Sequence, residues 1–347
     1  MTLGKMQPSL AYPDRRSGGP VFAAVDLGTN NCRLLVGAPT AHGFRVLDSY
    51  SKVVRLGEGL QESGQLSQQA MDRAIDALQA CADRLARRST YGLRAIATEA
   101  CRRASNAGPF LERVAQQTGL QLDVISTREE AKLALEGCTP LLAGAARRAL
   151  LFDIGGGSTE LVWVRLSPSQ RPELIGTLSM PVGVVGLSER YGGQAFTKDG
   201  FAAMVADVST RLAAFEKVHC ISEEIRRGGV QLLGTSGTVT TLAGEFLALD
   251  RYRRFAVDGQ VLSLAAAQGA VSALRSMGQA RLAAHPCVGA ERADFVLPGC
   301  AIYTAIHTMW PVPQVTVADR GLREGMLLRL IRDARRRAGD RSAMERS

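Results

Sequence analysis

The chain reads as an α/β protein built from two related halves that face each other across a cleft. Three observations carry this expectation. Strand-like and helix-like patterns alternate along the first half with glycine and proline punctuation, as stacked α/β layers require. A hairpin pattern of apolar run, aspartate, glycine turn and second apolar run occurs at VFAAVDLGTNNCRLLVG (21–37). It returns at ALLFDIGGGSTELVWVR (149–165). With 347 residues, the chain has room for about two domains of ordinary size.

Residues 1–19 are rich in Pro, Gly and Ser and read as a mobile leader. From Val21 an apolar strand runs to Asp26, turns at Gly28, Thr29 and Asn30, and returns through Leu34, Leu35 and Val36 as a hairpin. A third strand over 44–51 completes a meander. Apolar residues at helical spacing from Ala70 to Leu85, with Ser67 as cap, predict a helix. A strand over 93–97 follows, then a helix with Pro109 in its first turn and Gly119 as left-handed cap. A strand over 122–126 leads to a helix over 128–136 ending at Gly137. The Ala- and Gly-rich stretch 139–148 connects the halves, which gives domains at 20–140 and 141–335 and leaves 336–347 as a basic tail.

Composition narrows the function classes. Hydrophobic residues at 46% and charged residues at 22% fit a folded globular protein and exclude a disordered chain or a fibre. No run of 18 apolar residues occurs, and the first twenty residues lack a secretory apolar stretch, so the cytoplasm is the expected compartment and no membrane is involved. The seven cysteines are scattered without CxxC spacing, so they read as small buried side chains rather than disulfides or a zinc site. The four histidines share no ligand spacing. A net charge of +9 favours an anionic partner: nucleic acid, anionic lipid or a phosphate-rich small molecule. Aromatic residues are only 5%, and no basic stretch interleaved with stacking aromatics is identified, which weakens a nucleic-acid or polyanion-binding protein as the alternative.

The chemistry-bearing residues cluster at three glycine turns. A strand ending in aspartate and followed by glycines offers a carboxylate for a hard cation and free backbone N–H groups for phosphate oxygens. Asp26 with Gly28, Thr29 and Asn30 forms the first copy; Asp153 with Gly155, Gly156, Gly157, Ser158 and Thr159 forms the second. Three consecutive glycines cost entropy on folding and call for close backbone approach, although a plain hairpin tip is the competing reading. Gly234, Thr235, Ser236 and Gly237 lie between a strand and a helix, where helix N–H groups bind anions or a Thr/Ser merely caps. Neither the dinucleotide nor the P-loop fingerprint is present.

These segments together resemble a known family. DLGTNNCRLLV (26–36), SKVVRLGEGL (51–60), ISTREEAKLALEG (125–137), DIGGGSTEL (153–161), MPVGVVGLSERY (180–191), GTSGTVTTLAG (234–244), RADFVLPGC (292–300) and ADRGLREGML (318–327) resemble the exopolyphosphatase and guanosine pentaphosphate phosphatase (Ppx/GppA) family, in order. The resemblance implies two duplicated ribonuclease-H-like domains of the actin and sugar-kinase superfamily around a catalytic cleft, with the final helix crossing back onto the first. It implies phosphate binding by Gly28, Thr29, Asn30, Arg33 and the second glycine loop, and Mg2+ (or Mn2+) at Asp26 and Asp153. It further implies a catalytic carboxylate at Glu130, a second acid at Glu160, and Arg102 and Asn106 near the phosphate path. The implied activity is hydrolysis of the terminal phosphoryl group of inorganic polyphosphate, with guanosine pentaphosphate as the alternative substrate. Longer members add a helical region with an HD pair, absent here, so the resemblance covers the two-domain core. Oligomeric state is left open, a homodimer included. Glu129 is the neighbour that competes with Glu130, since adjacent helix positions diverge by about 100°. Arg320, Arg323, Lys52 and Arg55 read either as phosphate contacts or as ordinary surface cations.

Overall fold

The computed structural model describes residues 19–142, 145–167 and 170–344. The expected leader therefore lies outside the described residues apart from Gly19, as do the last three residues of the basic tail.

Two mixed sheets organise the chain. The first contains β1 (Phe22–Leu27), β2 (Asn31–Thr40), β3 (Gly43–Val53), β4 (Gly92–Ala97) and β5 (Asp123–Val124) in the order β3-β2-β1-β4-β5. The second contains β6 (Arg148–Ile154), β7 (Thr159–Ser167), β8 (Gln170–Met180), β9 (Val230–Thr235), β10 (Val261–Ser263) and β11 (Gln314–Ala318) in the order β10-β11-β9-β6-β7-β8. The antiparallel pairs β1/β2 and β2/β3 are repeated by β6/β7 and β7/β8, and the parallel pair β1/β4 by β6/β9. Even the irregularity repeats: the ladder shifts register between Val36 and Gly37, and between Trp163 and Val164, each starting ten positions after its aspartate. The fold is thus a duplicated ribonuclease-H-like architecture.

Side-chain alternation along β1 explains where the site lies. Ala23, Val25 and Leu27 pack on one face against helices Gln68–Ala86 and Ala107–Thr118, whereas Phe22 and Ala24 face helices Thr127–Cys138 and Leu322–Met344. With a period of two, Asp26 belongs to this second face. In β6 the same alternation sends Leu150 and Phe152 into the large core, and puts Ala149 and Leu151 against Ala131, Ala134, Leu135 and Cys138 of helix Thr127–Cys138. Asp153 shares that face. Helix Thr127–Cys138 is therefore sandwiched between the sheets, with Leu133 packed on the first and Ala131 and Ala134 on the second.

Several expected boundaries change. The strand expected over 122–126 pairs only at Asp123–Val124, both exposed at the sheet edge. Gly137 does not end its helix, which continues to Cys138; it sits where the helix crosses Leu322–Met344. A Cβ on Gly137 would lie 2.0 Å from the Gly321 carbonyl oxygen, and one on Gly325 would lie 1.9 Å from that of Leu133. The glycine serves close helix contact, not termination. The final helix also runs to Met344, through most of the expected tail, and its Met326, Leu327 and Ile331 pack on the first sheet. Six cysteines are buried, but Cys220 is exposed. Among the described residues, no helix is long and apolar enough to cross a membrane.

Candidate active site

The two hairpin tips meet. Gly28 N–H donates to the Asn31 carbonyl and Gly155 N–H to the Ser158 carbonyl, both at 2.9 Å, so the two turns are built alike. A Cβ on Gly156 would lie 2.8 Å from Asn30 Cβ, and one on Gly157 would lie 2.7 Å from Thr29 Oγ1. Glycine is needed there because one loop lies against the other. That contact brings Asp26 and Asp153, Glu130 and Glu160, and the Thr235–Gly237 turn onto one cavity of about 690 Å3, within the range of small-molecule sites.

Not every expected site residue reaches this cavity. Gly28, Thr29, Asn30, Arg33, Gly155, Gly156, Gly157, Ser158, Thr235, Ser236 and Gly237 line it. Thr159 does not: it is fully buried, and its hydroxyl donates to the Val182 carbonyl at 2.7 Å. Gly234 does not either, because its missing Cβ makes room for the Phe152 ring, 2.4 Å from the Cβ position. Asn106 is spent on the backbone of Leu66, accepting from its N–H and donating to its carbonyl, both at 2.9 Å. Arg102 stands behind the wall. It donates to Glu130 Oε2 at 2.7 Å, the Ile125 carbonyl at 3.0 Å and Glu99 Oε2 at 3.1 Å. Glu129 points elsewhere, to Arg94 and Arg329, which separates it from Glu130.

The acids shape the electrostatics. Burial pushes the Asp26 carboxyl up, partly offset by the Arg33 and Arg323 guanidinium groups. Burial likewise lifts Asp153 to about 6, with the Asp26 charge adding to it. Glu130 rises to about 7 through burial, opposed by Arg102. Glu160 is driven well above the carboxylate range by burial and by Glu130 and Asp153; Ser158 and Ser179 donate to its Oε1 at 2.5 and 3.0 Å. Acids that raise one another in a closed space favour a cation among them. Among the described residues no three His, Cys, Asp or Glu side chains converge into a ready metal cage. Two carboxylates completed by water and substrate oxygens suit Mg2+, which keeps several waters and seldom uses an all-protein cage. Asp26 Oδ1, Asn30 Oδ1 and Ser236 Oγ are buried without a hydrogen-bond partner, and all three residues line the cavity. Such orphaned atoms fit a bound cation and phosphate oxygens.

A family model for Ppx/GppA phosphatases matches residues 35–334. The chain belongs to the Ppx/GppA phosphatase family. It is 30% identical over 328 residues to a guanosine-5'-triphosphate,3'-diphosphate pyrophosphatase of Aeromonas salmonicida, covering 92% of this chain and 62% of that protein. The Aeromonas hydrophila counterpart is 31% identical, again with 92% and 62% covered, so the chain spans under two thirds of these Ppx/GppA relatives. A crystal structure titled as an exopolyphosphatase-like protein superposes with a TM-score of 0.81 at 26% identity, over 90% of this chain and 97% of the other. The Aquifex aeolicus Ppx/GppA family member gives 0.75 at 25%, over 91% and 98%.

Sequence reasoning missed part of this Ppx/GppA cleft. Glu99 lines it and pairs with Arg102. Arg292 donates to the Gly237 carbonyl at 2.6 Å and Thr241 Oγ1 at 2.9 Å. Arg254 donates to the Asp319 carbonyl and to Glu324 Oε1 at 2.6 and 2.7 Å. RYRRF (251–255) does interleave arginines with aromatics, contrary to the expectation that no such stretch occurs. Of the four undecided cations, Arg320 lines the cleft while paired with Asp258, and Lys52 and Arg55 bridge the lobes to Glu291 and Asp294 at 3.4 and 3.9 Å. Arg323 lines the cleft.

Proposed function

We propose that this chain is a Mg2+-dependent exopolyphosphatase that hydrolyses the terminal phosphoanhydride bond of inorganic polyphosphate. The observation that carries the reading is the position of Glu130, on a helix sandwiched between the sheets whose Asp26 and Asp153 line the same cavity. Asp26 and Asp153 would hold the cation, and its chemistry is to neutralise phosphate charge as it develops. The glycine-loop N–H groups, Arg33 and the helix N-terminus at Gly237 bind and orient the terminal phosphate. Glu130, with its carboxyl near neutrality, is suited to take a proton from an attacking water. Arg102 fixes the orientation of that carboxylate through Oε2. Burial and the neighbouring Glu130 and Asp153 charges oppose ionisation of Glu160, while Ser158 and Ser179 hold its carboxyl in place by donating to Oε1.

Guanosine pentaphosphate presents the same terminal anhydride, and the names of the Aeromonas relatives favour it as a second reading. Purified protein offered each substrate with Mg2+ tests both. Phosphate release from at least one is expected; a folded protein that releases none from either refutes the hydrolase reading.

A further inference from the structure

The first glycine turn stands on a pair of thiols. Cys32 closes the β1/β2 ladder at the turn end, opposite Leu27. Strand alternation sends its side chain away from the face of Arg33 and into the core, with Leu34, Val36 and the buried side of helix Gln68–Ala86. There Cys32 Sγ stands 3.9 Å from Cys81 Sγ of that helix, 49 residues further along the chain. Cys138 and Cys287 meet backbone instead, donating to the Arg320 carbonyl at 3.3 Å and the Leu249 carbonyl at 4.0 Å. We propose that Cys32 and Cys81 form an oxidisable pair that closes to a disulfide, and that the closed bond draws the first glycine loop away from the second and weakens phosphate binding.

Two sulfurs in contact are poised for this step. A disulfide sets them about 2.05 Å apart, so closure asks for roughly 2 Å of approach. Side-chain rotation supplies part of it, and the turn end of β2 supplies the rest. Cys32 is two residues from Asn30 and next to Arg33, and both of these line the cavity. Asn30 and Thr29 are also the residues against which Gly156 and Gly157 of the other half pack. Pulling Cys32 towards Cys81 therefore loosens the contact between the two glycine loops. A shift of about 1 Å in a group that positions a ligand is costly.

Cys81 is the attacking thiol. The hydrogen bond from Cys32 and the Arg84 guanidinium pull it down against its burial. Arg84 lies over the Tyr50 ring, 5.1 Å from its centre, and pairs with Asp48 at 3.3 Å. Tyr50 is close enough for charge on either thiol to act on its phenol. These two partly exposed side chains cover the pair, and an oxidant the size of water reaches it when they part. With hydrogen peroxide, the Cys81 sulfur takes one oxygen as the O–O bond breaks, which leaves a sulfenic acid and releases water. The Cys32 sulfur then attacks the Cys81 sulfur. The S–S bond forms, the S–O bond breaks, and the hydroxyl leaves with the Cys32 proton as a second water. The two thiols give up two electrons and the peroxide gains them; a dithiol reverses the bond by exchange.

The bond is independent of the proposed reaction; its effect on phosphate rests on that reading of the loops. The test uses the full chain with Cys220→Ser, which removes the exposed thiol. The folded protein is treated with hydrogen peroxide, denatured with an alkylating agent, and its peptides are mapped without reductant. A linked peptide joining Cys32 to Cys81, lost on adding dithiothreitol, is expected. Calorimetry with Mg2+ should show inorganic tetrapolyphosphate bound about tenfold more weakly by the oxidised form, with recovery on reduction. Adding Cys81→Ala should keep affinity within twofold of the reduced form and abolish the response to peroxide. If Cys32 and Cys81 are both alkylated after treatment, or are linked to other cysteines, the proposal is overturned, and this result needs no further variant to fold. A linked protein whose tetrapolyphosphate affinity stays within twofold also overturns it. Reduced protein that binds no tetrapolyphosphate refutes the phosphate reading of the loops, whereas the mapped linkage judges the bond alone.

Discussion

Replacing Glu130 by Gln removes one charge and keeps the shape, which makes it the sharpest perturbation of this cleft. Arg102 still finds an acceptor, because the amide oxygen can take the place of Oε2 at 2.7 Å. Burial lifts the Glu130 carboxyl from 4.5 to about 7, and at 1.36 kcal/mol per pH unit this corresponds to about 3 kcal/mol of native-state cost for holding the charge at pH 8. The neutral amide avoids that cost, so the variant should melt no lower than the wild type at pH 8 in EDTA. Turnover should fall by about 10^2 to 10^4, the usual contribution of a positioned base, while tetrapolyphosphate affinity stays within threefold. The wild-type pH profile carries the same signature. As the proposed base, Glu130 would have to be ionised, so kcat/KM should rise with pH and level off above about 7 at limiting cation. Saturating Mg2+ should move that limb to lower pH, because the Asp26 and Asp153 charges that raise Glu130 are then offset. Phosphate release, calorimetry and thermal melts measure all of this. A Glu130→Gln protein that turns over within tenfold of the wild type would refute the assignment.

Stability without cation should fall as pH rises from 5 to 8. Asp153 and Glu130 carry folded values of about 6 and about 7, above their ordinary 3.8 and 4.5, so the native state holds protons that the unfolded chain has released, and that advantage is lost as pH climbs through the folded values. Urea unfolding in EDTA at several pH values checks this, and stability that increases over the interval would contradict the described burial. Gly325→Ala should destabilise by about 3 kcal/mol, since its Cβ would sit 1.9 Å from the Leu133 carbonyl oxygen and neither helix backbone can yield cheaply. A melting temperature unchanged by Gly325→Ala would show that the helices are not in close contact there.

Local patterns were legible where the chain decides its own conformation. Ser67 caps its helix by accepting from Ala70 N–H, and Gly119 closes helix Ala107–Thr118 in the left-handed conformation, as their positions predict. The hairpin repeat, too, is written in the order of apolar runs, aspartates and glycines. What stayed hidden depends on partners distant in sequence. Nothing near Asn106 says that its amide will clasp Leu66, forty residues earlier. Thr159 and Gly234 lie in the right motifs, yet β-strand alternation turns the first towards Val182, and the second leaves space for Phe152. Gly137 has the spacing of a helix terminator, and only the approach of Gly321 and Gly325 reveals its use. Arg254 and Tyr252 enter the cleft because Asp319, 67 residues beyond Tyr252, holds them there.

Duplication alone would give a symmetric cleft, and phosphoryl transfer needs an asymmetric one. The crossing of helices Thr127–Cys138 and Leu322–Met344 is reciprocal: Gly137 meets the carbonyl four residues before Gly325, and Gly325 meets the carbonyl four residues before Gly137. Each helix also follows the outermost parallel strand of its own half, β5 or β11, so the halves join as the two copies of a fused dimer would. The symmetry is broken opposite the aspartates. Asp26 faces Arg33 across the β1/β2 ladder, whereas at the equivalent place Asp153 faces Glu160. One half thus sets a permanent cation beside its carboxylate, and the other a buried acid that two serines keep hydrogen-bonded. A chain end bound between them as proposed would meet the Arg33 guanidinium on one side and the buried, hydrogen-bonded Glu160 carboxyl on the other. In the proposed reaction that difference would give the terminal phosphate one preferred orientation, with Glu130 carried to it on the first half's own helix.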